Sequence, residues 1–357
     1  MLNCKNSTIE KLLNRKKEIY TGKFNKKVVY KCLDEIKLSS LASSIKLNIG
    51  LENKDGYIEI INAGSRIYYD NKNSDFWKNN NSIILEIDNT SEVVIKAQFI
   101  SNFNCNNNKI TKLDISKSKH LSWLECHGNL LVDLDLSNNN NIDTIDCSNN
   151  KQLTNINFNK IMKSTTYLNY SNTGIASLDL NKLPRLECLN CAFCVNISNI
   201  DISKNKKLKN ISCNNCSLSN LNTSNNPQLF YINCDNNNIT ILDTSKNSFL
   251  IVLKCNKNYL SSLNIKNNNS LLVLECDSNK LKNLDVSSNS NIESLRCSNN
   301  LLDTDAIISL FNQLLNINNN KQKFLTIAYN SIYLSNQKEL VDAINKLKEK
   351  GWEVYMN

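Results

Sequence analysis

Residues 121–139 read LSWLECHGNLLVDLDLSNN and residues 271–289 read LLVLECDSNKLKNLDVSSN. Both fit L-x-x-L-x-C-x-x-N-x-L-x-x-L-D-x-S-x-N, which divides into two nested half-repeats of the form L-x-x-L-x-(small or apolar)-x-x-N. Aligned on the cysteine, the pattern recurs at Cys105, Cys126, Cys147, Cys191, Cys213, Cys234, Cys255, Cys276 and Cys297, at intervals of 21, 21, 44, 22, 21, 21, 21 and 21 residues. The interval of 44 holds two units, with Tyr170 in the cysteine place, so about ten units share one register. A fixed short period is the mark of a solenoid: each unit has an apolar side it cannot bury alone, and stacking makes one continuous core.

The composition supports that reading. The chain has 357 residues, 41% of them hydrophobic and 21% charged. It has only 7 Gly and 2 Pro, but 68 Asn. Something other than Gly and Pro must turn the chain. Asn is suited to this, because its amide bonds to nearby backbone and it tolerates left-handed conformations. Three residues after each cysteine, Asn108, Asn129, Asn150, Asn237, Asn258, Asn279 and Asn300 form a second row, interrupted by Thr173, Cys194 and Cys216. Their amides are expected to bond backbone groups left unpaired inside each turn.

These residues resemble the leucine-rich-repeat family, whose units carry L-x-x-L-x-L-x-x-N/C-x-L. The 21-residue Cys- and Asn-bearing units are similar to those of internalin J-type bacterial surface repeat proteins. The resemblance covers roughly residues 100–330. It implies an α/β-class repeat fold, a right-handed solenoid with a parallel β-sheet. It implies no particular activity, since one fold carries many functions.

Four segments follow. Residues 1–37 are a basic, partly helical segment with ten Lys or Arg against four acids. Residues 38–99 read as a small β-rich capping domain, with strands at Ser44–Leu51, Tyr57–Ile61, Ile83–Ile87 and Val93–Ile100. Residues 100–303 are the solenoid, and residues 304–357 an αβα cap with helices from Ala306 and Gln337 and a last strand at Trp352–Tyr355. Both ends need caps, because an open solenoid exposes a strand edge and an apolar cross-section.

Chemistry-bearing motifs are sparse. The two His, His120 and His127, lie in one unit, and no nucleophile elbow, phosphate loop, HExxH or Rossmann glycine pattern occurs. The chain therefore reads as non-catalytic and without a cofactor. Cys188, Cys191, Cys194, Cys213 and Cys216 have the CxxC spacing of metal or redox sites, with Cys191, Cys194, Cys213 and Cys216 the candidate ligands. The register makes Cys191 and Cys213 ordinary inward repeat positions, so buried inert thiols are the competing reading. A row of Asp114, Asp135, Asp179, Asp201, Asp243 and Asp285, interrupted by Asn222 and Asn264, suggests either calcium or carboxylates bonded to neighbouring backbone and Ser.

Strand side chains alternate between inside and outside. The outward positions around each cysteine define the expected binding face: Trp123, Tyr167, Tyr231 and Val252 in one lane; Glu125, Asp146, Asn169, Asn190, Asn233, Lys254, Glu275 and Arg296 in the next; His127 in a third. Exposed aromatic residues on a rigid sheet are typical interface anchors. The expected role is to present that face, as a monomer, to a protein or glycan partner in adhesion or host contact. The basic N-terminal segment offers a different reading, contact with nucleic acid or an acidic surface, but no aromatic stacking platform accompanies it. No run approaches the ~20 apolar residues of a membrane span. As written the sequence shows no leader and reads as cytoplasmic; removal of a leader would make it secreted or cell-surface.

Overall fold

In the computed structural model the described residues are 34–356, apart from 41, 43, 52–57, 63–64, 70–81, 87–91, 98, 159, 316, 318–321 and 332–336. They belong to the second of two units, Leu33–Asn357; the first, Met1–Cys32, lies outside them, as do the N-terminal helices and most of the basic segment expected from sequence.

Each coil enters the main sheet through three residues ending just before the cysteine. The strands are β9 (Trp123–Glu125), β11 (Thr144–Asp146), β13 (Tyr167–Asn169), β14 (Cys188–Asn190), β15 (Asn210–Ser212), β16 (Tyr231–Asn233), β17 (Val252–Lys254), β18 (Val273–Glu275) and β19 (Ser294–Arg296). Their middle residues, Leu124, Ile145, Leu168, Leu189, Ile211, Ile232, Leu253, Leu274 and Leu295, are buried. All pair in parallel with no slip, Leu253 opposite Leu274 and Leu274 opposite Leu295. The cysteines, and Tyr170 in their place, follow as a second buried row. The return side is built of turns, with β10 (Asp133–Asp135) and β12 (Asn155–Asn157) pairing in parallel and a single 3-10 turn at Leu180–Lys182.

Asparagine has three structural uses. The first is the row expected from sequence. The Asn150 amide donates to Cys147 O at 2.9 Å in its own coil and to Cys126 O at 3.0 Å in the coil before, while its Oδ1 accepts from Leu131 N at 3.0 Å. Asn258, Asn279 and Asn300 repeat this set. Where Asn is replaced, Thr173 Oγ donates to Tyr170 O at 2.8 Å, and the Cys194 and Cys216 thiols donate to Tyr170 O and Cys191 O, each at 3.2 Å.

The second use closes the other half-repeat. Asn139, Asn205, Asn226, Asn247, Asn268 and Asn289 are fully buried. Each donates to two carbonyls across adjacent coils, as Asn226 does to Ile202 O at 3.0 Å and Asn205 O at 2.9 Å. Here the amide oxygen meets a side chain. Thr223 Oγ reaches Asn247 Oδ1 at 2.7 Å and Thr244 Oγ reaches Asn268 Oδ1 at 2.8 Å. Where that neighbour is Ile115, Leu180, Ile202 or Ile265, the oxygens of Asn139, Asn205, Asn226 and Asn289 have no partner.

The third use is conformational. Two residues after the cysteine place, the backbone is left-handed in coil after coil: Asn107, Gly128, Asn149, Asn172, Phe193, Asn215, Asn236, Lys257, Ser278, Asn299 and Tyr329 all have φ between 51° and 67°. Asn or Gly fills most of these places because both adopt that region at low cost.

The N-terminal region merges with both sides of the solenoid. It contains β1 (Asp34–Ser40), β2 (Ser44–Leu51), β3 (Ile58–Asn62), β4 (Ser65–Tyr69), β5 (Ser82–Glu86), β6 (Glu92–Ala97), β7 (Ile100–Asn104) and β8 (Ile110–Asp114). β5 and β2 extend the main sheet through β7, while β4, β3, β6, β1 and β8 form a second sheet. The single strand expected at Val93–Ile100 is thus two strands in different sheets. The break comes at Phe99, whose φ of 56° turns the chain from one sheet to the other. Buried Asp34 holds this corner, accepting from Ile100 N at 2.7 Å and lying 3.1 Å from His120 Nδ1.

At the other end, α1 (Thr304–Leu314) is capped by Asp303, whose carboxylate accepts from Ala306 N at 2.9 Å. The helix begins two residues before the Ala306 start expected from sequence, because Asp303 is the extended residue that caps it. β20 (Lys323–Thr326), α2 (Gln337–Glu349) and β21 (Trp352–Tyr355) complete the cap, with Gly351 at φ 83° ending α2. β20 continues the coil register, with Ile327 buried in the cysteine place.

Thr223→Val keeps the shape of its site but strands the Asn247 oxygen. The expected loss is about 1–3 kcal/mol in denaturant unfolding; an unchanged midpoint would show that this hydroxyl contributes nothing.

Candidate protein-interaction face

The residue three before each cysteine and the residue one before it lie on the outer surface of the sheet, so all the expected face residues except those buried below share one surface. Trp123 is exposed at 43%, and Tyr167, Tyr231, Val252 and Val273 are half-buried. Thr144, Cys188 and Asn210 separate the aromatic members, so Trp123 and Tyr167 stand apart. Tyr231, Val252 and Val273 are consecutive neighbours in register.

The polar lane is largely committed to the sheet itself. Glu125 accepts from Trp123 Nε1 at 3.0 Å, from Asn106 Nδ2 at 3.2 Å and from the Asn104 amide. Asp146 accepts from the Ser148 amide at 3.0 Å and the Asn169 amide group at 3.1 Å. Asn169 is itself buried, which leaves little of it for a partner. Asn169, Asn190 and Asn233 each accept from the backbone amide two residues on, at 3.1–3.2 Å. They are turn-closing residues, as Asx side chains commonly are. His127 follows, half-buried, with its amide bonded to Asn106 Oδ1 at 2.8 Å.

The charged end of the lane is paired differently from a simple Lys254–Glu275–Arg296 ladder. Lys254 meets Glu275 at 2.9 Å, a bond that raises the pKa of the lysine. The other Glu275 oxygen accepts from Asn256 at 3.1 Å, and Arg296 turns to Asp277 at 3.0 Å. Surface pairs of this kind contribute little stability.

A row outside the lanes expected from sequence lies beside the first of them, four residues before the cysteine. Earlier coils place Ser122, Asp143, Thr166, Glu187 and Lys209 there, and the next three place Phe230, Ile251 and Leu272. Backbone bonds join this row from coil to coil, Ile251 N to Phe230 O and Leu272 N to Ile251 O, each at 2.9 Å. Phe230 and Ile251 are exposed and Leu272 half-buried. With Tyr231, Val252 and Val273 they make a continuous apolar strip over three coils. The sequence signal was present: three apolar residues in succession at a position that is polar in the coils before them.

Cys191, Cys194, Cys213 and Cys216 are neighbours across two coils, but the five cysteines do not face one common site. Cys191 and Cys213 point into the core, Cys194 and Cys216 occupy the asparagine row, and Cys188 lies on the outer surface, accepting from Asn210 Nδ2 at 3.3 Å. Among the described residues no group of three or more His, Cys, Asp or Glu is placed to hold a metal. Burial pushes the core thiols up, Cys105, Cys234, Cys276 and Cys297 among them, which makes them poor nucleophiles. Cys216 differs: a hydrogen bond from Cys191 lowers it.

The aspartate row has a structural function. Asp114, Asp135, Asp201, Asp243 and Asp285 each accept from the amide of the serine two residues on, at 2.9–3.0 Å. Asn222 and Asn264 do the same with Ser224 and Lys266. The amide and hydroxyl of that serine hold Asp201 and Asp243 below the ordinary carboxylate range, and the same two groups act on Asp285.

The fold and this face define a leucine-rich-repeat solenoid with a cysteine ladder. It is similar to the functional domain of InlJ from Listeria monocytogenes, a structure that includes a cysteine ladder, at 26% identity and a TM-score of 0.52, over 72% of this chain and 63% of that one. The chain thus spans less than two thirds of that relative. It also matches an internalin, InlF, of the same organism at 17% identity, over 72% of this chain and 86% of that one, with a TM-score of 0.47. No protein-family model matches the sequence, and no curated protein matches it.

A carboxylate whose pKa is lowered by folding stabilises the fold above its unfolded value and loses that contribution as pH falls through its folded value. Thermal stability should therefore drop below about pH 4. A variant carrying Asp201→Asn, Asp243→Asn and Asp285→Asn keeps an acceptor at each turn and should show a flatter acid limb. A limb as steep as the parent's would show that these turns do not titrate with folding.

Proposed function

We propose that the chain is a non-catalytic interaction module that holds a protein partner on the outer surface of its parallel sheet. The observation that carries this is the strip Phe230, Tyr231, Ile251, Val252, Leu272 and Val273. It is apolar, lies in one register over three coils, and sits on a sheet whose positions are fixed by the amide rows beneath. Apolar and aromatic side chains on a rigid support lose little conformational freedom on binding. The similarity to internalin-type repeats supports the same reading. Adhesion or host contact is the setting proposed for that partner.

Partner capture by the whole chain, followed by measurement of affinity, tests the proposal. Tyr231→Ala with Val252→Ala, and separately Trp123→Ala with Tyr167→Ala, resolve the two ends of the face. One pair should weaken binding by about tenfold or more with unchanged unfolding. Parental affinity in both pairs would remove the sheet surface as the site.

A further inference from the structure

The lateral edge through which the chain enters the sheet carries two adjoining features with no internal use. Each coil makes a tight turn before its strand, closed by Leu186 N to Leu183 O at 3.1 Å, Leu208 N to Asn205 O at 2.9 Å, Leu229 N to Asn226 O at 3.2 Å and Leu250 N to Asn247 O at 3.0 Å. The residue before each closing leucine is solvent-facing and occupies the same place in successive coils: Arg185, Lys207, Gln228 and Phe249. In the turns before β14 and β15 this edge is cationic. Arg185, Lys206 and Lys207 are exposed and make no ion pair among the described residues; Lys209 beside them is neutralised by Glu187 at 2.7 Å. In the next two coils the cations give way to Gln228 and to exposed apolar side chains, Phe249 at 64% and Phe230 and Ile251 at 37% each.

We propose that this edge docks an extended polypeptide segment of a partner protein, acidic at one end and apolar at the other. This deepens the interaction-module reading and rests on it. Charge complementarity selects the acidic half: three unneutralised cations lie on two consecutive turns. The apolar half fits Phe230, Phe249 and Ile251, which would otherwise stay in water. Four coils at about 4.8 Å spacing span roughly 14 Å, the reach of about four or five extended residues. The cations steer and orient the segment, and the aromatic residues supply most of the contact area.

The test pans the immobilised full-length chain against short random peptides displayed on phage, then measures the enriched peptides by fluorescence anisotropy at low and high salt. Phosphatidylserine vesicles are a parallel arm. Enriched peptides should pair Asp or Glu with Phe, Leu or Trp. Their binding should weaken by about tenfold or more in Lys206→Glu/Lys207→Glu and in Phe230→Ser/Phe249→Ser. Salt should weaken them further. All four side chains are exposed, and unchanged circular dichroism and unfolding confirm that each variant folds. Enrichment of basic peptides, no enrichment, or vesicle binding that depends on these residues in place of peptide binding overturns the proposal. Peptides indifferent to both edge variants but lost in Tyr231→Ala/Val252→Ala overturn it as well, while leaving the interaction-module reading intact.

Discussion

A narrow solenoid places backbone amides and carbonyls inside a core that excludes water, and a buried polar backbone group without a partner costs more free energy than a coil can spare. Asparagine meets that demand because one side chain carries two donors and an acceptor. Asn150 bonds carbonyls in two coils and accepts an amide from the coil before, so the bond set that closes one turn also fixes the next one upon it. The parallel register, the inward cysteines and the outward lanes all follow from that linkage.

The two asparagine rows differ in how fully they meet the demand. In the cysteine half, Oδ1 receives a backbone amide. In the other half it receives a threonine hydroxyl or nothing, according to whether Thr223 and Thr244 or an Ile or Leu stands opposite. The same economy governs the surface. Glu125, Asp146, Asn169 and the aspartate row look like free polar groups in the sequence but are occupied by turn amides and neighbouring coils. Exposed apolar and cationic side chains remain, among them Arg185, Lys207, Phe230 and Ile251 in the coils of β14 to β17.

The caps show how the ends of such a stack are managed. Antiparallel strands join both sides of the solenoid at one end, so the first coil does not expose an edge. At the other end β20 and β21 extend the main sheet in parallel, with α1 and α2 as the crossovers that lead into them, and Lys323 and Trp352 are buried opposite each other in register.

The period, the inward cysteine row, the first asparagine row and the C-terminal cap were legible in the sequence, because each rests on identities repeated at a fixed spacing. Periodicity assigns every residue to a face, and stacking makes that assignment the same in every coil. What the repeat could not show was competition among neighbours: that Phe99 breaks one strand into two sheets, that Arg296 chooses Asp277 over Glu275, that the lane asparagines close turns, and that Phe230, Ile251 and Leu272 join into one strip. Those outcomes depend on which groups lie within bonding distance across coils. Side chains 19 or more residues apart in the chain, as Arg296 and Asp277 are, become neighbours only when the coils stack, so the tertiary structure alone decided which were used up in holding the fold and which stayed exposed.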